Sequence, residues 1–289
     1  MGAFGHYITR KHLIQNAKKH AEDFPQVVCF AFDQITHSIH LDGQYERDIL
    51  TFFTSKVLPS LPQRGLCLDI GANIGNHTLA FAQHFDQVIA FEPHPRTYEV
   101  LKLNAALASN VTTVNVGLSS AAGQVNIIED KLNIGASSVE RALDPQGQTI
   151  SFDLARLDDL PEAKGELKIG FVKLDIEGHE AEALRGAAAT IARHKPVIMI
   201  EVLPHGIEGG DAAALKVLRE MGYTHFYEAI EAGWLGRLPR KYKKLARSLV
   251  ALFTGQRPSK AEILSPVEAL EPRSYQMILC AIAPLPDGS

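Results

Sequence analysis

The sequence predicts an α/β fold: a doubly wound, mostly parallel sheet with helices on both faces. Three observations predict it. From Leu66 onward, short apolar runs of strand length alternate with apolar-periodic stretches of helix length. Residues 169–176 and 197–202 are nearly continuous apolar runs, as expected of strands buried on both faces. The first run ends in a glycine turn, Gly71-Ala72-Asn73-Ile74-Gly75, followed by a helix and a second strand.

The elements follow in order. Residues 6–23 place His6, Arg10, Lys11, His12, Lys18, Lys19 and His20 around Ile8, Leu13, Ile14 and Ala17. This reads as a basic amphipathic helix, either a solvated cap or a surface-binding element. Residues 27–32 and 37–41 read as a β-hairpin about the polar turn at Asp33-Gln34. A helix over 49–58 carries Ile49, Leu50, Phe53, Val57 and Leu58, and Pro59 and Pro62 end it. Strands over 66–70 and 88–91 flank a helix with Leu79, Ala80, Ala82 and Phe85 on one face. A helix over 93–108 precedes strands over 112–116 and 125–128, and residues 130–148 read as a loop. Next come an extended stretch over 150–157, the strand over 169–176, a helix over 180–194 and the strand over 197–202. A helix over 211–221 and strands over 223–227 and 275–282 complete the pattern. The chain thus divides into an N-terminal extension, 1–44, and an α/β domain, 45–289, with a basic helical insertion at about 228–272.

Composition narrows the setting. An apolar content of 46% over 289 residues is enough for a substantial core. A net charge of −4 argues against a nucleic-acid partner. Cys29, Cys67 and Cys280 are far apart and suggest neither a disulfide framework nor a zinc site. No apolar run approaches a membrane span, and neither a signal-peptide core nor a myristoylation motif follows Met1. A cytoplasmic location is the resulting expectation.

The glycine turn selects the ligand class. A dinucleotide fingerprint needs G-x-G-x-x-G, but Asn73 stands where the second glycine belongs. Asp69, two residues before Gly71, would repel a pyrophosphate and suits a cationic ligand. S-adenosylmethionine fits, with its sulfonium, its ammonium and no phosphate. Glu92 lies 23 residues after Asp69, at the end of the next strand. An acid near that offset hydrogen-bonds ribose hydroxyls.

A second acidic cluster is Lys173-Leu174-Asp175-Ile176-Glu177-Gly178-His179-Glu180. On an extended strand Lys173, Asp175 and Glu177 share one face. The acids could act as a general base, hold a hard divalent cation or bind substrate hydroxyls. Glu177 and Glu180 could also simply cap the next helix. No residue is assigned as a metal ligand.

These residues carry a resemblance. The sequence resembles the FkbM family of S-adenosylmethionine-dependent methyltransferases over about residues 45–203. The matching pieces are D-x-G-A-N-x-G from Asp69 to Gly75, Phe91-Glu92-Pro93, L-x-x-N from Leu101 to Asn104, Asn133-Ile134-Gly135-Ala136-Ser137, and K-x-D-x-E-G-x-E from Lys173 to Glu180. The resemblance implies a Rossmann-like methyltransferase fold and methyl transfer to a hydroxyl on a sugar, glycolipid or secondary metabolite. It implies that Asp69, Gly71, Ala72, Asn73 and Gly75 surround the methionine part of the cofactor. Thr78 would touch its carboxylate, and Glu92 with Pro93 would hold the ribose. Asn115, Gly117 and Leu118 would line the adenine pocket. Asp175, Glu177, His179 and Glu201 would face the acceptor, with one of them as base. His205 is a weaker candidate.

Three alternatives stay open: N-methylation of a small-molecule amine, a nicotinamide-linked oxidoreductase and a non-catalytic cofactor-binding scaffold. The partner expected is a small-molecule or glycan acceptor. Arg237, Arg240, Lys241, Lys243, Lys244 and Arg247 crowd eleven positions before an apolar run. They read as a solvated helical hairpin or as a peripheral contact with an anionic membrane through 237–253.

Overall fold

The computed structural model describes residues 2–128, 149–231 and 262–285. The N-terminal elements are α1 (Ala3–His20), α2 (Gln34–Asp42) and α3 (Arg47–Phe52), the last running on through a π-helical turn, Phe53–Val57. The sheet begins with β1 (Leu66–Ile70), α4 (Asn76–Ala82), β2 (Gln87–Phe91), α5 (Pro95–Ala105) and β3 (Val111–Val114). A small satellite sheet follows: β4 (Gly117–Leu118), β5 (Gly123–Ile128) and β6 (Thr149–Ala155). The chain returns to the main sheet with β7 (Ile169–Leu174), α6 (Glu180–Gly186), α7 (Ala188–His194) and β8 (Val197–Val202). The remaining elements are β9 (Ile207–Glu208), β10 (Asp211–Ala212), α8 (Ala213–Glu220), β11 (His225–Glu231), β12 (Glu262–Pro266) and β13 (Tyr275–Ala281).

The main sheet has the order β12-β11-β13-β8-β7-β1-β2-β3. The five strands from β8 to β3 are parallel, and β13, β11 and β12 add antiparallel. This is a Rossmann-like sheet. The chain runs outward from β1 to β3, then crosses back to β7 on the other side of β1. That reversal opens a crevice at the carboxyl ends of β1 and β7, where such sheets bind ligands.

Strand alternation splits the core in two. Leu66, Leu68 and Ile70 of β1 pack on one face with Val172, Ile198, Leu184 and Leu218. Cys67 packs on the other with Phe53, Phe81, Phe85 and Phe171. The rings of Phe53 and Phe81 lie 4.5 and 5.5 Å from that of Phe171. α3, α4 and β7 are thereby fixed to one another.

Several expected elements differ. The hairpin expected at 27–41 is not formed, and residues 34–42 are helical. Asp33 caps that helix by accepting from Ile35 N at 3.1 Å, and Gly43 closes it at φ 83° with its N–H on Ile39 O. Ile35 and Ile39 are spaced i, i+4, so the apparent alternation was one side of a short helix. The helix expected over 180–194 breaks at Ala187. There the chain turns past β4, so closely that a Cβ on Gly186 would meet Ser119 O at 1.9 Å. The ends of the region read as a helical insertion, 228–272, include two paired strands, β11 and β12. The basic run 237–247 and the loop 130–148 lie outside the described residues.

Candidate active site

A cavity of about 250 Å³ opens at the carboxyl ends of β1, β2 and β7. The glycine turn forms its floor. Gly71, Asn73 and Gly75 all adopt left-handed conformations, at φ 79°, 52° and 90°. Gly71 has a second reason to be glycine, because a Cβ there would sit 1.9 Å from Asp175 O. Gly71→Ala is expected to destabilise the fold by roughly 3 kcal/mol or more, measured by urea unfolding. A loss below about 1 kcal/mol would mean that the end of β7 is free to withdraw.

Glu92 is buried at the end of β2, with both oxygens already oriented. Oε2 accepts from Asn73 N at 3.0 Å and Oε1 from His94 N at 2.9 Å. Burial raises its pKa to about 7 against the pull of these two N–H groups. Asn115 braces this corner from behind, donating through Nδ2 to Glu92 O and Pro93 O. Beside it Pro93, Gly117, Phe152 and Leu154 crowd into an apolar wall: a Cβ on Gly117 would meet all three neighbours within 3.5 Å.

At the opposite end stand the acids of β7 and β8. Lys173 is buried between two carboxylates, 3.4 Å from Asp69 and 3.2 Å from Asp175, and donates to Gly71 O at 2.7 Å. Burial opposes its charge, but Asp175 and Asp69 together hold it above the ordinary lysine range. Asp175 is 36% exposed to the cavity. Desolvation works against its charge, yet the Lys173 ammonium and a hydrogen bond with Glu201 hold it below the usual carboxylate range. Glu201 moves the other way, to about 9, through burial and the Asp175 charge. At neutral pH the pair therefore holds one proton, carried on Glu201.

Glu177 adopts a left-handed conformation, φ 57°, that is rare for a glutamate. Glu180 explains how it is held. Its Oε1 accepts from Ile176 N at 3.2 Å and Gly178 N at 3.0 Å, bridging the turn on either side of Glu177. Glu180 thus acts as a brace for the turn. His179 Nε2 lies 2.9 Å from Ser119 Oγ.

The cavity brings together all four acceptor-facing candidates, Asp175, Glu177, His179 and Glu201, and Gly71, Ala72, Asn73, Glu92, Pro93, Gly117 and Leu118. Asp69, Gly75, Thr78 and Asn115 are not on its wall. Asp69 is fully buried beneath the floor, and Thr78, also fully buried, donates to its Oδ2 at 2.6 Å. Thr78 thus steadies Asp69, which in turn pairs with Lys173, and neither side chain reaches the cavity wall. His205 is exposed on a turn after β8 and lines nothing here.

Sequence reasoning missed the wall given by the end of the extension and the residues just after it. Asp33, Gln34, Ile35, Tyr45 and Glu46 line the cavity, as does His77. Asn76, at the start of α4, clamps the Tyr45 backbone, donating to its O at 2.9 Å and accepting from its N at 3.1 Å. His77 pairs with Glu46 at 3.3 Å. Burial and the surrounding carboxylates raise the Tyr45 phenol above its ordinary range, so it stays a hydrogen-bond donor.

The profile of the methyltransferase FkbM domain matches residues 69–224. This chain belongs to the FkbM methyltransferase family. Its cofactor is S-adenosylmethionine. Methyltransferase sdnD of Sordaria araneosa is 32% identical over 162 residues, covering 45% of this chain and 62% of that one. Hexuronic acid methyltransferase AglP of Haloferax volcanii is 34% identical over 146 residues, covering 50% of this chain and 57% of that one. The FkbM-family chain therefore spans less than two thirds of the length of either relative. A solved structure of methyltransferase FkbM from Methylobacillus flagellatus KT covers 93% of this chain and 58% of its own, at 16% identity and a TM-score of 0.38.

The residues present fit that cofactor. Glu92 offers remaining lone pairs to a ribose diol, the apolar wall at Gly117 and Phe152 suits an adenine, and the acids of β7 suit a cation. Among the described residues no group of three or more His, Cys, Asp or Glu is arranged to hold a metal ion.

Proposed function

We propose that this chain is an S-adenosylmethionine-dependent O-methyltransferase, acting on a hydroxyl of a sugar, glycolipid or secondary metabolite. The observation that carries the reading is the Asp175–Glu201 pair. The two acids are neighbours at the cavity, Asp175 3.2 Å from Lys173 and open to the cavity, and their pKa values are pushed apart, Asp175 down by the Lys173 ammonium and Glu201 up by burial and the Asp175 charge. The sugar substrate in the name of the AglP relative supports the same reading.

The cofactor, when bound, supplies a methyl group on a sulfonium leaving group that needs no assistance. What remains is to place an alcohol in line and remove its proton. Asp175 receives that proton. A carboxylate with a low pKa is a weak base towards a free alcohol. It is sufficient here, because an alcohol oxygen becomes strongly acidic as it gains a carbon. Glu201 donates a hydrogen bond to Asp175 and keeps its charge localised without adding a second one. Lys173 sets the position of both β1 and β7 acids from below. Tyr45 and Glu177 line the same cavity as Asp175 and orient the acceptor.

The test is two-stage. Calorimetric titration is expected to show micromolar S-adenosylmethionine binding and none of NAD(H). Incubation with methyl-labelled cofactor and a panel of glycosides, glycolipids and amines is then expected to label oxygen. Label on nitrogen would overturn the O-directed reading. A folded chain that binds no cofactor would overturn methyl transfer altogether.

A further inference from the structure

The N-terminal helix is built inside out. Its inward side is polar: Asn16 Nδ2 donates to the carbonyls of His40 and Leu41 at 3.4 and 3.3 Å, and His20 Nε2 to Leu41 O at 3.2 Å. Its large apolar residues face away from the protein. Phe4 is 78% exposed, Tyr7 60%, and Ile8 and Ile14 47% each. Phe4, Tyr7 and Ile8 are spaced i, i+3, i+4, and Lys11, Ile14 and Lys18 continue the same stripe. Across α1 there are four Arg or Lys residues, Arg10, Lys11, Lys18 and Lys19, and no acid, in a chain of net charge −4.

We propose that α1 docks this protein on an anionic phospholipid surface. Four cations and no acid beside exposed apolar side chains match an anionic lipid surface. At a bilayer interface lysine stems lie along the acyl boundary while the ammoniums reach headgroup phosphates. A protein cover over the same stripe would bury each ammonium and require a matching carboxylate. Among the described residues no helix is long and apolar enough to cross a membrane, so the contact is peripheral. It also bears on the site: α1 is bonded to α2, and Asp33, Gln34 and Ile35 at the start of α2 line the cavity. A docked molecule holds that wall one helix away from the lipid.

The experiment is co-sedimentation of the full chain with phosphatidylcholine vesicles, with and without about one third phosphatidylglycerol, at about 0.1 M salt. Binding is expected only with the anionic lipid and is expected to weaken as salt rises. The quadruple variant R10Q/K11Q/K18Q/K19Q is expected to lose several hundredfold in partitioning, since each cation near such a surface adds about fivefold. Phe4→Ser with Tyr7→Ser and Ile8→Ser is expected to abolish binding. Those side chains are exposed, so cofactor affinity and circular dichroism should not change. No binding by the folded wild type would overturn the proposal. So would binding that survives both α1 variants and is lost instead when the cations of 237–247 are replaced by Gln, or α1-dependent self-association without vesicle binding.

Discussion

Asp175→Asn is expected to lower the rate of methyl transfer by roughly a hundredfold to ten-thousandfold while leaving cofactor affinity within a few fold. The amide cannot take a proton at the carboxylate position, but it keeps the shape. The fold survives the change for an electrostatic reason. Lys173 faces two carboxylates, so removing one leaves a neutral Lys173–Asp69 pair rather than an orphaned charge. Single-turnover methylation beside calorimetric cofactor binding separates the two effects. A rate within threefold of wild type would move the base elsewhere, with His179 the next candidate by position. The pair also fixes the pH profile. Asp175 is ionised well below neutrality and Glu201 loses its proton only near pH 9. The rate is therefore expected to stay flat through neutral pH and to change near pH 9, when a second negative charge enters the site. Glu201→Gln keeps a hydrogen-bond donor and removes that limb. Stability follows the same group. Its folded pKa lies above the ordinary value of 4.5, so wild type loses stability as pH rises from there to about 9, where the loss is complete. Thermal unfolding of Glu201→Gln is expected to be flatter over that window.

Such pairs show what a linear sequence can and cannot carry. The alternation of strands and helices needed only local signals, because buried parallel strands and glycine turns announce themselves within a few residues. Glu92 was legible for the same reason: it closes a strand at a fixed offset from the turn. The direction in which Asp69 points was not. β1 is buried on both faces, so its apolar pattern does not say which side carries the acid. That side is set by pairing with β7, which puts Lys173 in register with Asp69 over a hundred residues away. Glu201 and Asp175 share a proton because β7 and β8 are neighbours. α2 is a different kind of miss. Its capping residues, Asp33 and Gly43, were present, but a short polar segment with apolar residues at Ile35 and Ile39 also satisfies an alternating pattern. Tyr45 and Glu46 carried no signal at all. Asn76, thirty-one positions after Tyr45, holds the Tyr45 backbone, and His77 pairs with Glu46.

Glu92→Gln is expected to weaken cofactor binding about a hundredfold at pH 8, and the reason is geometric as much as electrostatic. Each oxygen of Glu92 already accepts one backbone N–H, from Asn73 and from His94. A glutamine has one acceptor oxygen, so its amide must confront one of those donors whichever way it turns. The substitution thus disrupts the glycine turn as well as removing the charge that a ribose diol would bind. Titration of wild type tests the assignment without a mutation. Burial places the Glu92 pKa at about 7. If the ionised form accepts both ribose hydroxyls, affinity falls about tenfold for each pH unit below that value and is constant above it. Folding responds with the opposite sign. The unliganded chain is stabilised when Glu92 is protonated, and that contribution is lost as pH rises from about 4.5 to about 7. Cofactor binding and stability of the free chain therefore respond in opposite directions within the same pH window, and both limbs should vanish in Glu92→Gln. A cofactor affinity independent of pH between 5 and 8 in wild type would remove Glu92 from the ribose site and leave it as a brace of the turn.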